Sequence, residues 1–318
     1  MFFIINESKT ERMSQYIYRA LKEKGQDAVL IDQNTLPIEN TITLTTGNGV
    51  AEGKITLTSG DIINLKDIKG VYVRLQNLKT DLKLDQFEKN IQESERFLAF
   101  DSWLNNADAM VVNPSRSQYS NNSKLYQTWI VRQYGFKTPE SLLTNNADRV
   151  IEFYEEYKKD GVIFKSGSSE RSKVRMLCDE DIDRLKEYLP SCPALFQKFV
   201  PGTDIRVHAL VTGEVFGHKI NSESTDYRYD KERSIVPIDL PDKLKEQCIK
   251  LAADLGLYIS GIDLRKDPEG NYYCFEANPS PAFAWYEDQT GQPISDAVAE
   301  MFIKSEEILK ANIVKRKF

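Results

Sequence analysis

A chain of 318 residues, 41% of them hydrophobic, is long enough to fold as two or three packed units. Its formal net charge of −6 argues against a non-specific nucleic-acid binder, which would be basic. Four cysteines without a CxxC pair, and two histidines with no cysteine at ligand spacing, argue against a disulfide framework and against zinc.

Taken in chain order, "FFIINES" reads as a buried strand and "KTERMSQYIYRALKEKG" as an amphipathic helix ending at Gly25. The start has no basic region and no long apolar run, so it is not a signal peptide. No later run reaches the ~18–20 apolar residues of a membrane span. A cytoplasmic protein without membrane partners is expected. "QDAVLID" is the second strand and "GVYVRL", Gly70 to Leu75, the third, with a hairpin around "TTGNGVAEGKITLTSGD" between them. A helix from Gln86 to Asn106 and the strand "ADAMVVNP", stopped by Pro114, complete a small open α/β sheet.

"NNSKLYQTWIVRQYGF" is a helix stopped at Gly135, "TPESLLT" a short extended piece, and "NNADRVIEFYEEYKKDG" a helix capped by Asn. "GVIFKSGSSERSKVRML" reads as two strands around a polar loop, "DEDIDRLKEYL" as a helix and "ALFQKFV" as a strand, making a compact α+β block. "TDIRVHALVTGEVFGHKI" is an antiparallel hairpin turning at Thr212-Gly213. The polar loop "NSESTDYRYDKERS" leads to "IVPIDL" and the helix "PDKLKEQCIKLAADLGL". The tail from Pro293 to Lys310 is a helix, followed by the basic end "VKRKF".

The segment "ISGIDLRK-DPEG-NYYCFEAN" is the most informative. Asp-Pro-Glu-Gly is a strong turn signal between two alternating runs. With 267–270 as the loop, Asp263 faces Cys274, and Asp263, Cys274, Glu276 and Asn278 share one face. Ile262, Leu264, Tyr273, Phe275 and Ala277 then face a core. Two carboxylates and a carboxamide on one face repel one another and resist desolvation unless a hard cation joins them. Magnesium takes oxygen ligands of this kind together with substrate phosphates. A solvent-facing sheet is the bland alternative, and Cys274 is read as a packing residue.

These residues resemble the ATP-grasp superfamily, in which an aspartate on one C-terminal strand precedes a glutamate and asparagine two apart on the next. Here the pattern is "GIDLRKDPEGNYYCFEANPSP". "LFQKFVPGTDIRVHALVTGEVFGHKI" resembles the family's interdomain hinge and hairpin, "NPSRSQYSNNSKLYQTWIVRQYGFKTPES" the beginning of its central domain, and "GVIFKS" its phosphate-binding strand. The resemblance implies an N-terminal open α/β (pre-ATP-grasp) domain over 1–113, a central α+β lid domain over 114–196 and a C-terminal α+β domain over 197–318. It implies ATP and two magnesium ions as cofactors.

Residue by residue, the resemblance makes Lys124 and Lys165 phosphate-gripping lysines. It makes Gln197, Lys198 and Val200 an adenine-holding hinge acting largely through backbone, with Phe199 packed in the core. Asp204 matches a ribose- or phosphate-side acid, Arg206 a phosphate-binding catalytic arginine, and Asp263, Glu276 and Asn278 the magnesium ligands. The phosphate loop "KSGSSERSKV" departs from the glycine-rich form, and Ser166, Ser168 and Ser169 are candidate hydroxyl donors instead. Outside the ATP set, Arg228 in "TDYRYD" and Arg74 at the end of "GVYVR" are candidates to hold a substrate carboxylate or an acyl phosphate. Each is otherwise an exposed arginine. His218 is a candidate base but reads better as a buried or surface histidine.

Within the superfamily the chain is similar to ribosomal-protein glutamate ligases and microviridin-type peptide ligases, with "EANPSPAFAWYEDQTGQPISDAVAEMF" closest to the latter. The implied activity is carboxylate ligation through an acyl phosphate, joining side chains of a ribosomally made precursor peptide as esters or amides. A small-molecule or amino-acid ligase of the same fold, and a kinase or degenerate ATP sensor, are the rivals. Relatives of this kind form dimers or tetramers, which leaves homo-oligomerisation open.

Overall fold

The computed structural model describes residues 2–6, 11–32, 40–47, 50–74, 85–167, 174–222 and 232–314. Arg228, Ser168 and Ser169 lie outside the described residues. Among those described, no helix is long and apolar enough to cross a membrane.

The first third contains β1 (Phe2–Asn6), α1 (Arg12–Glu23), β2 (Ala28–Asp32), β3 (Thr41–Gly47), β4 (Val50–Thr56), β5 (Ile62–Asn64), β6 (Gly70–Tyr72), α2 (Gln86–Asn106) and β7 (Met110–Val112). Parallel strands in the order β2-β1-β6-β7 form the N-terminal sheet, and β3, β4 and β5 form a separate antiparallel sheet. Successive residues of the apolar runs bury opposite ways, as a doubly covered parallel sheet requires. Ile4, Tyr72 and Val112 pack with Ile17 and Leu21 of α1, whereas Ile5, Val71 and Val111 pack with Phe100 and Trp103 of α2. Glu11 caps α1, its carboxylate accepting from the amides of Met13 and Ser14.

The middle of the chain supplies α3 (Lys124–Gln133), β8 (Ser141–Thr144), α4 (Ala147–Tyr157), β9 (Val162–Lys165), β10 (Arg175–Met176), α5 (Asp179–Tyr188) and β11 (Ala194–Lys198). Their antiparallel sheet has the order β10-β9-β11-β8. Val162, Phe164 and Phe196 pack against Val150 and Phe153 of α4 and Ile182 and Leu185 of α5. Alternation therefore turns Ile163, Lys165, Leu195 and Gln197 to the opposite face.

The last part comprises β12 (Thr203–Leu210), β13 (Val215–Asn221), β14 (Ser234–Ile238), α6 (Asp242–Asp254), β15 (Ile259–Lys266), β16 (Tyr272–Asn278), α7 (Ala284–Thr290), α8 (Ile294–Ile303) and α9 (Ser305–Lys310). The antiparallel order is β14-β13-β12-β15-β16. One face carries Val207, Ala209, Ile262 and Leu264 onto Leu244, Cys248 and Leu251 of α6 and Val131 of α3. The other presents Arg206, His208 and Asp263 and, further along, Leu210 and Ile259, which pack with Phe283 and α8. Where one tail helix was expected, the chain ends α8 at Lys304, whose amide bonds to the carbonyls of Glu300 and Phe302, and restarts as α9. The helix α7 was not foreseen.

The decisive hairpin differs from the predicted register. Asp267 and Asn271 close the turn with a backbone bond of 3.0 Å and two side-chain bonds of 2.7 and 2.8 Å, leaving 268–270 as the loop with Gly270 at φ +87. Lys266 therefore pairs with Tyr272, one residue off the expected partner. A bulge between Asp263 and Leu264 then adds a second residue of offset, so Leu264 pairs with Cys274 but Asp263 pairs with Glu276. The two slips together restore the parity of Glu276 and Asn278, which do share the face of Asp263. Between them, where only one slip applies, Cys274 turns into the core beside Leu264, and the extra residue Phe275 meets Lys165 and Arg265 instead.

As the last strand of its sheet, β16 would leave backbone groups unpaired. The amide of Cys274 donates to the Lys137 carbonyl at 2.9 Å, and Gln127 of α3 both donates to the Ala277 carbonyl at 2.8 Å and accepts from its amide at 3.1 Å. Gln127 is almost fully buried. Replacing it by Met keeps the bulk but strips both partners from buried Ala277, so urea unfolding is expected to show a loss of about 2–4 kcal/mol.

Candidate active site

The centre is a row across three strands, with Arg206 opposite Asp263 and Asp263 opposite Glu276. Arg206 is buried and donates from Nη1 to Asp263 Oδ1 at 2.6 Å. Gly261, two residues before Asp263, leaves the room for this guanidinium. A Cβ built there would lie 2.0 Å from Arg206 Nη2 and 2.5 Å from its Cζ. Gly261→Ala is therefore expected to displace Arg206 and to cost about 1–3 kcal/mol in urea unfolding.

Burial, and next the charge of Asp263, push the Glu276 carboxyl above its ordinary range, while Arg206 and Lys165 pull the other way. Two carboxylates thus face each other with less positive charge around them than they need. Asn278, opposite Gly261, lies on the same face, and its Oδ1 accepts the Ser280 amide at 2.8 Å with a lone pair to spare. Among the described residues no three His, Cys, Asp or Glu side chains group as a metal site. Two carboxylates and a carboxamide nevertheless suit magnesium, which completes its shell with water and phosphate oxygens.

The face of the central sheet opposite its helices brings Lys165 and Gln197 toward this row. Lys165 lies 6.0 Å from the centre of the Phe275 ring, and its charge acts on Glu276. Lys124, at the start of α3, donates from Nζ to the Ser166 carbonyl at 3.0 Å and to its hydroxyl at 3.2 Å, at the edge of the phosphate loop. Gln197 is buried and donates to the Ser141 hydroxyl at 2.9 Å. The Lys198 side chain turns elsewhere, to Asp160 at 2.9 Å and over the Tyr157 ring, so only its backbone is left to line a hinge.

A brace that sequence reading missed lies beneath that hinge. Arg265 forms a two-pronged pair with Asp204, with bonds of 2.8 and 2.9 Å, and donates to the Val200 carbonyl at 3.0 Å. Its guanidinium lies 5.6 Å from the ring centres of both Phe199 and Phe275. Asp204, expected on the nucleotide side, is occupied by Arg265, and Phe199, expected in the core, is half-buried under the same guanidinium. The pairing of Asp204 with Arg265 follows from β12 lying beside β15, which no local spacing announces.

Arg74 stands apart from the row. Its Nη1 donates to the carbonyls of Ser280 at 3.3 Å and Pro281 at 2.8 Å, and its Nε lies 3.6 Å from Glu11.

Behind Arg206, His208 and His218 are fully buried with Nδ1 of the first 3.1 Å from Nε2 of the second. Tyr286 covers both rings at 5.0 and 4.9 Å. His218 was read as buried or surface rather than as a base, and it is buried. Burial and then the charge of Arg206 lower both imidazoles, His208 well below 6.5 and His218 to about 4. The folded protein thus prefers them neutral. Their contribution is full above 6.5 and is lost as pH falls toward 4, by about 3 kcal/mol for His218. Urea unfolding across that range is expected to show this acid loss in the parent chain and a flatter profile in His218→Gln.

Comparison with known proteins agrees with this geometry. A family model described as a RimK-like ATP-grasp domain matches residues 121–302. The α-aminoadipate–LysW ligase LysX of Sulfolobus acidocaldarius is 25% identical over 224 residues, covering 67% of this chain and 80% of the relative. The crystal structure of macrocyclase MdnC bound with precursor peptide MdnA, from Microcystis aeruginosa MRC, has a TM-score of 0.84 at 26% identity, covering 95% of this chain and 99% of that one. ATP-grasp ligase PsnB, complexed with a phosphomimetic variant of its minimal precursor, Mg and ADP, gives 0.81 at 23% identity, with coverages of 96% and 98%. The family match takes in more than half of the chain and every residue from Lys124 to Asn278 discussed above, and on that ground the chain belongs to the RimK-like ATP-grasp family.

Proposed function

We propose that the protein is an ATP-dependent ligase that activates a side-chain carboxylate of a ribosomally made precursor peptide and closes it onto a hydroxyl or amine of the same peptide. The observation that carries the reading is the row Arg206–Asp263–Glu276 with Asn278, with the charge of Lys165 acting on Glu276. The likeness over nearly the full length to a macrocyclase bound with its precursor peptide supports the substrate class.

In this reading the units 1–113, 114–196 and 197–318 correspond to the three main sheets, and ATP lies between the central and C-terminal ones. Lys124 and Lys165 contact phosphates, while Gln197 and the backbone of Lys198 and Val200 hold adenine. Asp204, braced by Arg265, is the ribose- or phosphate-side acid beside that hinge. Asp263, Glu276 and Asn278 would hold two magnesium ions, which would neutralise phosphate oxygens. A carboxylate oxygen of the peptide attacks the γ-phosphorus, the bond to the β,γ-bridging oxygen breaks, and ADP leaves. The hydroxyl oxygen or amine nitrogen then bonds to the acyl carbon of the resulting acyl phosphate, the bond from that carbon to the phosphate oxygen breaks, and the nucleophile's proton passes to the departing phosphate or to solvent. Arg206, 2.6 Å from Asp263, brings a buried positive charge to the transferring group, and Arg228 is a second candidate for that charge. The cleft needs only to position and neutralise, because neither step requires a protein nucleophile. The reaction is placed in the cytoplasm, where ATP is supplied.

Incubation with ATP, magnesium and a candidate precursor is expected to release ADP only when peptide is present. The product should be lighter by one water per bond formed, read by intact mass. Glu276→Ala is expected to lower turnover about 100-fold or more. Magnesium-dependent turnover unchanged in that variant removes the metal assignment. The similarity to an α-aminoadipate–LysW ligase favours one other reading, a small-molecule or amino-acid carboxylate–amine ligase of the same fold, which a gain in acceptor mass identifies.

A further inference from the structure

The turn that follows the metal strand is held from outside its own sheet. Three consecutive carbonyls, those of Pro279, Ser280 and Pro281, are each captured by a side chain of the N-terminal part of the chain. Asn113, just after β7, donates from Nδ2 to the Pro279 carbonyl at 2.6 Å. Arg74, just after β6, donates from Nη1 to the carbonyls of Ser280 and Pro281 at 3.3 and 2.8 Å. Asn113 also fixes the start of β15, donating to the Ile259 carbonyl at 2.7 Å and accepting the Tyr258 amide at 2.8 Å. Arg74 and Glu11 are nearly buried, at 12% and 6% side-chain exposure, so the guanidinium is desolvated against the carboxylate that caps α1.

The turn is coupled directly to the site, since the Ser280 amide donates to Asn278 Oδ1 at 2.8 Å. Whatever sets the position of Ser280 therefore sets the direction of the carboxamide oxygen. Two prolines stiffen the turn but supply no amide donors, so its carbonyls are the handles left for holding it.

We propose that Arg74 and Asn113 are positioning residues for the metal-holding end of β16. They clamp the 279–281 turn so that Asn278 stays aligned with Asp263 and Glu276. The inference rests on the metal reading of those three residues, and it gives the N-terminal sheet a part in the chemistry without contact with the reacting atoms.

The test uses Mn2+ as the probe, titrated into the full chain with ADP and followed by electron paramagnetic resonance, with ADP affinity measured separately without metal. Arg74→Lys keeps the charge but loses the planar fork. It is expected to weaken Mn2+ binding about tenfold while metal-free ADP affinity stays at the parent value. Glu11→Gln, which keeps an acceptor for the α1 amides and removes the countercharge, is expected to give a smaller loss in the same direction. Lys24→Ala breaks a different tie between these parts of the chain, to Asp296 and Glu300 on α8, and is expected to leave Mn2+ binding unchanged. Parent-level Mn2+ affinity in Arg74→Lys and Glu11→Gln, or an equal loss in Lys24→Ala, overturns the proposal. Glu276→Ala in the same titration separates the two layers. If it loses Mn2+ while Arg74→Lys does not, only the clamp is wrong, and if it binds like the parent, the metal reading falls and the clamp with it.

Discussion

Asp263 and Glu276 stand opposite each other on neighbouring strands, partly withdrawn from water, with one buried arginine bonded to the first. Burial, and next the neighbouring charge of Asp263, raise the proton affinity of Glu276. The arrangement is unfavourable as folding energetics and, in the proposed function, useful as chemistry, because a cation and a polyphosphate would complete it. Much of the surrounding structure serves to hold this pair in place. Gly261 gives Arg206 its space, Gln127 finishes the outer edge of β16, and the bulge beside Asp263 aligns the carboxylates.

The site is built from rigid elements rather than loops. Lys165 and Gln197 come from the face of the central sheet turned away from its helices, and the acidic row from a face of the C-terminal sheet whose reverse side is packed on α6. Arg265 joins the two parts, since its pair with Asp204 and its bond to Val200 tie the link between β11 and β12 to β15. Two aromatic rings flank its guanidinium, which keeps a desolvated charge tolerable. The neutral histidine pair behind Arg206 adds no charge of its own, so the arginine remains the principal cation next to Asp263 on that sheet.

Much of the site was legible because chemistry leaves local marks. The alternation of "GID" and "FEAN" around a Pro-Gly turn put two carboxylates and a carboxamide on one side, and that placement survived a wrong register because two single-residue slips cancelled. Tyr273, Cys274 and Phe275, lying between the slips, fall on the opposite faces from those expected for the same reason. Arg74 stood out as an odd charge ending an apolar strand, but the carbonyls it holds lie more than two hundred residues away. Arg265, Gly261 and Asn113 carried no signal, since each matters only through strands adjacent in space and not in sequence.

What the sequence determined by itself was the identity and order of the elements and the residue types proposed to meet the metal and the phosphates. Periodicity, caps and turn residues act over a few positions, and the chemistry needs particular side chains. What tertiary structure decided was pairing. Which strand lies beside β12 settles that Asp204 belongs to Arg265, which residue the hairpin leaves out settles the face of Cys274, and which part of the chain reaches the 279–281 carbonyls settles the task of Arg74. Those choices depend on packing the whole apolar core at once, a constraint that no short stretch of sequence contains.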